Sequence, residues 1–163
     1  MPERTRAITG IEVSIPGRKK LLRIEHVVFD FNGTLAVEGR LVRGVAGRLR
    51  KLATLTHVVV MTADTFGTAR AALARLPVMV QVVRGGADKR RYVESVGRGT
   101  VAAVGNGVND VAMFRAAALG IAVCQAEGIA GELLRVASIL VDDVNDACDL
   151  LLKPQRLVAT LRR

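Results

Sequence analysis

His26-Val27-Val28-Phe29-Asp30-Phe31-Asn32-Gly33-Thr34-Leu35 is the stretch on which the reading of the fold turns. Its apolar residues run on without alternation, the pattern of a strand buried on both faces, and the run ends on a carboxylate followed by a glycine and a hydroxyl. Four further runs are of the same kind: Val58 to Met61, Thr100 to Val104, Gly120 to Cys124 and Ser138 to Val141, with Val78 to Val83 weaker. Helical stretches separate them, at about Val42 to Thr54, Gly67 to Leu76, Asp88 to Val96, Val108 to Ala118, Glu127 to Ala137 and Asn145 to Leu152. Pro154 is placed to open a last helix ending near Leu161. Strands alternating with helices at these lengths predict an α/β fold, a Rossmann-like parallel sheet with helices on both faces. Upstream, Ile11 to Ile15 and Lys20 to Ile24 flank a Pro16-Gly17 turn signal and predict a β-hairpin. The expected organisation is one domain over residues 1–163, with 1–25 as a hairpin extension.

Composition narrows the function classes. Of 163 residues, half are apolar and about a quarter charged, which excludes a disordered chain and supplies a core. No apolar run approaches the roughly 18 residues of a spanning helix, and MPERTRAITG lacks an apolar leader segment, so a soluble, cytoplasmic protein is expected. Cys124 and Cys148 lack metal-ligand spacing and sit in apolar surroundings, as buried reduced thiols do. The net charge of +9 invites a nucleic-acid partner. Against it, the basic residues are spread along the chain apart from Arg18-Lys19-Lys20, Lys89-Arg90-Arg91 and Arg162-Arg163, and only five aromatics exist for base stacking.

A parallel sheet binds ligands at the carboxyl ends of its strands. Asp30 stands at the first such tip; the second reads Thr62-Ala63-Asp64, and the fourth reads Gly105-Asn106-Gly107-Val108-Asn109-Asp110. Lys89 opens the helix before that fourth strand. Singly, each has an ordinary structural reading as a cap, a strand-end hydroxyl or a surface charge. Together, in this order on one sheet, they point to a site.

These residues resemble the four ordered motifs of the haloacid dehalogenase superfamily. They are most similar to the phosphorylation domain of P-type ATPases and to small soluble proteins that look like that domain standing alone. The resemblance runs from about Glu25 to the C-terminus, with motif spacings of 32, 27 and 21 residues. It implies that Asp30 is a nucleophile carrying the phosphoryl group as an aspartyl-phosphate. It further implies a Mg²⁺ held by Asp30, the main-chain carbonyl of Asn32 and Asp110. Thr62 and Lys89 would hold phosphoryl oxygens, together with the chain at Phe31, Gly33, Thr34 and Ala63, while Asn106 and Asn109 would orient the metal site from behind its ligands.

Two positions depart from the pattern. Superfamily phosphatases carry a second Asp two residues after the nucleophile, to protonate the leaving oxygen and then activate water; here it is Asn32. An amide cannot move a proton, and losing a general acid/base costs about 10²–10⁴ in rate. Leaving groups that depart as stable anions, a carboxylate or ADP, need no acid. P-type pumps have Thr at that position and recruit a base from another domain. Asn106 stands where those pumps have Asp, which removes a charge beside the metal. The Asn32-Gly33 step also invites deamidation, which would restore the carboxylate.

The short spacings leave no room for a cap domain or for the nucleotide-binding domain of the pumps. A capless site is open to water and to large partners, and resembles superfamily members that act on macromolecules or build a lid by oligomerising; a small phosphorylated substrate and a homo-oligomer are expected here, with the exposed edge of the hairpin as the contact. The leading expectation is a Mg²⁺-dependent phosphohydrolase or phosphotransferase. A catalytically quiet regulatory or binding protein on the same fold is the alternative, and a basic nucleic-acid module the third.

Overall fold

The computed structural model describes residues 7–64 and 67–163. Its centre is a six-stranded, all-parallel sheet of β3 (His26–Asp30), β6 (His57–Thr62), β7 (Met79–Val82), β8 (Val101–Gly105), β9 (Leu119–Val123) and β10 (Ile139–Val141). The order across the sheet is β10-β9-β8-β3-β6-β7. Chain order reverses direction at β3, which lies between β8 and β6, so the crevice at its carboxyl end is the switch point where such sheets bind ligands.

Side chains alternate between the two faces and fill two cores. Val27 and Phe29 point to one, covered by α1 (Val45–Leu52), α2 (Thr68–Leu73), α6 (Val144–Leu152) and α7 (Pro154–Leu161). Val28 points to the other, beneath α3 (Gly86–Val96), α4 (Val111–Ala116) and α5 (Gly131–Leu134). The helices form where the apolar period is helical. Val45, Leu49 and Leu52 make one buried stripe on α1; on α6, Val144, Ala147, Cys148 and Leu151 make another, and Asp143 caps it by accepting from the Asn145 N–H. A bidentate Arg48–Asp149 pair, at 2.9 and 3.1 Å, ties α1 to α6.

The N-terminal hairpin pairs β1 (Ile11–Val13) with β2 (Leu22–Ile24), shorter strands than the alternation predicts. Its inward residues Ile11, Val13, Ile15, Leu22 and Ile24 are buried. Glu25 bonds Thr100 and His57, at the amino ends of β8 and β6, so the hairpin extends β3 away from the sheet's carboxyl end. Within the chain the hairpin therefore lies at the end of the sheet opposite the Asp30 tip. Arg18-Lys19-Lys20 sits in the hairpin turn, where the Arg163 N–H bonds the Pro16 carbonyl.

The helix predicted over 127–137 is only α5. Gly128 adopts φ 78°, and Ala130 donates to the Asn106 carbonyl, so the preceding residues are held as a loop against the fourth motif. Between Asp30 and Thr62 lie only the small hairpin β4 (Ala36–Val37) with β5 (Arg40–Leu41) and α1; no cap domain occurs among the described residues. Cys148 is buried and its thiol pushed up to about 12 by desolvation, while Cys124 is partly buried; both are unpaired. No described helix is long and apolar enough to cross a membrane.

Candidate active site

The sheet delivers its polar tips to one place. Asp30 ends β3, Thr62 ends β6, and Asp110 closes the 3₁₀ turn after β8; with Lys89 they line one cavity of about 260 Å³. Lys89 lies in the first turn of α3, buried, and its Nζ donates to Asp30 Oδ1 and Asp110 Oδ1, both at 2.7 Å. The remaining oxygen of Asp110 accepts the Asn106 and Gly107 N–H groups at 3.1 and 3.0 Å. That carboxylate crosses the end of β8 so closely that a Cβ on Gly105 would stand 2.4 Å from Asp110 Oδ2, which accounts for glycine as the last residue of the strand.

Two carboxylates and one ammonium leave a net negative charge out of water. Burial first, then the like charge of Asp110, push the Asp30 carboxyl up to about 6, against the pull of Lys89. Burial works against the Lys89 ammonium, but the two carboxylates outweigh it and raise its pKa. The donor set therefore suits a further hard cation. No group of three or more His, Cys, Asp or Glu able to hold a metal occurs among the described residues. A cation here would thus have two carboxylates, a main-chain carbonyl and water, the mixture that Mg²⁺ accepts.

Between the unfolded and folded pKa values of Asp30 the native state binds more protons than the unfolded one, so this group's contribution to stability rises as pH falls through about 6. Asp30→Asn imitates the protonated form. In EDTA it is expected to exceed wild type in stability at pH 8, with the gap narrowing toward pH 5. Urea unfolding at the two pH values checks this, and a gap independent of pH contradicts it.

The loop after Asp30 is a tight turn. Phe31 is buried, Gly33 takes φ 77° and donates to the Ala36 carbonyl at 2.7 Å, and the carbonyls of Gly33 and Thr34 accept from Gln125 Nε2 at 3.3 and 2.8 Å. The Asn32 side chain is exposed at the cavity and makes no hydrogen bond among the described residues. Deamidation needs the Gly33 nitrogen to attack that side chain. Because the Gly33 N–H is bonded inside the turn, the folded state opposes the reaction that the Asn-Gly pair invites.

The remaining expected residues divide. Ala63 and Asn109 line the cavity. Thr62 is buried, and its hydroxyl accepts the Asp64 N–H at 3.2 Å. Asp64 caps α2 by accepting from Ala69 at 2.8 Å. Thr34 Oγ1 donates to Asn106 Oδ1 at 3.2 Å, and Asn106 Nδ2 donates to the Gly128 carbonyl at 3.1 Å. Asn106 is thus more than a missing charge: its amide joins the first and fourth motifs to the 125–130 loop, and a carboxylate could not donate the second bond.

Two residues escape the sequence reading. Gln125, just past β9, bridges the Gly33–Thr34 turn to α6 by also accepting the Val144 N–H at 2.9 Å. Arg84, just past β7, lines the cavity. Both stand where strand tips meet ligands, so the same rule pointed to them.

The central parallel sheet with helices on both faces has the haloacid dehalogenase type of α/β fold, which solved structures bear out. The cobalt-bound deoxy-D-mannose-octulosonate 8-phosphate phosphatase of Haemophilus influenzae superposes with TM-score 0.67 at 15% identity, over 86% of this chain and 94% of that one. The 3-deoxy-D-manno-octulosonate 8-phosphate phosphatase of Moraxella catarrhalis, solved with magnesium, phosphate and the sugar acid, gives TM-score 0.63 at 16% identity over 83% and 90%. No family model matches the chain. In sequence it is 45% identical over 62 residues, 38% of its length, to an uncharacterised protein of Methanocaldococcus jannaschii, covering 67% of that protein. The chain belongs to the same family as that archaeal protein.

Proposed function

We propose that the protein is a phosphohydrolase or phosphotransferase working through an aspartyl-phosphate on Asp30, and that Asn32 restricts it to leaving groups that depart as anions. The observation carrying this reading is the Lys89 ammonium 2.7 Å from both Asp30 and Asp110 at the switch point of the sheet. Phosphoryl transfer depends mostly on positioning and charge cancellation, and the site is built for both. Asp30 attacks the phosphorus in line and keeps the phosphoryl group. Lys89 and the Thr62 hydroxyl hold its oxygens, with the main-chain N–H groups of Phe31 and Ala63; those of Gly33 and Thr34, expected to join them, are engaged inside the turn by the Ala36 and Phe31 carbonyls. Asp30, the Asn32 carbonyl and Asp110 are the residues to hold Mg²⁺, which when bound cancels the repulsion between carboxylate and phosphate. Asn106 and Asn109 steady the loop that carries Asp110.

The relatives in structure named as phosphatases act on small phosphorylated sugar acids, which supports a small phosphorylated substrate. The likeness to pump phosphorylation domains supports the aspartyl-phosphate without a second Asp. A homo-oligomer closing the open site, with the hairpin edge as a contact, is part of this reading. Acetyl phosphate is the test substrate: wild type is expected to release acetate from it with Mg²⁺ and to stop when EDTA is added. Absence of metal-dependent acetate release would favour the second reading, a quiet binding or regulatory protein, which Asn32 alone recommends.

A further inference from the structure

Arg84 is the one charged side chain of the cavity that the chemistry above leaves unused. It follows β7 on the loop Val83-Arg84-Gly85, which bounds the cavity beside Lys89. Among the described residues its guanidinium has no ion pair and no hydrogen bond. The reason is local: Asp88, the nearest acid along the chain, accepts the Arg84 main-chain N–H with Oδ2 at 2.8 Å and pairs with Arg91 through Oδ1 at 2.7 Å. Both oxygens are engaged, so the backbone of Arg84 is anchored while its cation is left over.

The loop is also fixed from the other side. A Cβ on Gly86 would stand 2.7 Å from the Asn109 carbonyl, so the chain just after Arg84 lies directly against the loop that carries Asp110. Arg84, an exposed residue, therefore stands on a braced support at the rim of a cavity larger than a phosphoryl group. Lys89 has both carboxylates as partners; among the described residues Arg84 has none. A guanidinium presents its donors as a planar fork matching a carboxylate or phosphate.

Resting on the reading that Asp30 accepts a phosphoryl group, we propose that Arg84 holds the departing anion and sets the substrate class as anhydrides of phosphate with a carboxylic or phosphoric acid. The step balances without a proton. For an acyl phosphate, an Asp30 oxygen forms a bond to phosphorus, the bond from phosphorus to the acyl oxygen breaks, and its electron pair leaves on the carboxylate, which the Arg84 fork receives. Asn32 supplies no acid, and none is needed. Arg84 and Asn32 then form one specificity: the first favours an anionic leaving group, and the second fails those that must be protonated.

Phosphoramidate separates this from a general effect, because it delivers the same phosphoryl group while its nitrogen, already protonated, leaves as neutral ammonia. Wild type, Arg84→Gln, Arg84→Lys and the surface control Arg90→Gln are compared on acetyl phosphate and phosphoramidate with Mg²⁺. Loss of a hydrogen-bonded charge contact is expected to lower kcat/KM for acetyl phosphate about 10- to 100-fold in Arg84→Gln. Phosphoramidate should change by less than about twofold, Arg84→Lys should fall between, and Arg90→Gln should match wild type. Equal loss on both substrates, or no loss on either, overturns the assignment.

A binding measurement keeps the test independent of turnover. By calorimetry with Mg²⁺, wild type should bind methylenediphosphonate, whose P–C–P link is not cleaved, more tightly than inorganic phosphate, and Arg84→Gln should lose that preference. If wild type turns over neither substrate, the phosphotransfer reading fails, while the diphosphonate preference still decides Arg84. A preference absent from wild type, or unchanged in the variant, overturns it.

Discussion

Asp30→Asn is expected to abolish metal-dependent acetate release from acetyl phosphate, lowering kcat by about 10⁴-fold or more, as removal of a covalent nucleophile does. The change keeps the size of the side chain and a hydrogen-bonding oxygen toward Lys89, which still has Asp110 at 2.7 Å. It also relieves the burial and repulsion that push the Asp30 carboxyl up to about 6. A variant that is inactive and yet at least as stable as wild type in EDTA separates lost chemistry from lost fold. Retention of a tenth of the wild-type rate would mean that the phosphoryl group is not carried on Asp30.

Asn32→Asp is expected to act in the opposite direction. Hydrolysis of p-nitrophenyl phosphate should rise about 10²- to 10⁴-fold, the usual worth of a positioned general acid/base. The side chain at 32 is exposed at the cavity and tied to nothing among the described residues, so a carboxylate can be placed there without breaking a contact. The same group would activate water against the aspartyl-phosphate. Wild type should therefore show a burst of acetate from acetyl phosphate followed by slow turnover, and Asn32→Asp should lose the burst. Stopped-flow and steady-state rates on both substrates check this. No gain on the ester would place the limitation elsewhere than in the missing proton shuttle.

The sheet was legible because its inner strands are buried on both faces. Val27 to Phe29, the residues of β8 and those of β9 are all solvent-free, and continuous apolar runs record that. β7 was the weak signal for the opposite reason: it is an edge strand with Met79 and Val82 exposed. A faint strand carries a faint tip, so nothing in the local pattern marks Arg84 as a strand-end residue. Asp30, Thr62, Lys89 and Asp110 were visible as chemically odd residues at strand tips and one helix start.

What the sequence could not supply were the ties between distant segments. The bridge of Gln125 to a turn about 90 residues away, the link from Thr34 through Asn106 to Gly128, and the hairpin's seat at the amino end all depend on long-range packing, which leaves no period in the chain. Asn106 shows the hazard. As a letter it is a lost charge, but in the fold its amide makes two bonds that brace the site.

The most direct test is to incubate wild type with acetyl phosphate and Mg²⁺, quench in acid, and map the phosphoryl group by peptide mass spectrometry. The account predicts a hydroxylamine-labile phosphoryl group on Asp30, abundant in wild type because Asn32 slows its hydrolysis and scarce in Asn32→Asp. An unphosphorylated Asp30 under conditions where acetate is released, or a phosphoryl group on another residue, would contradict it.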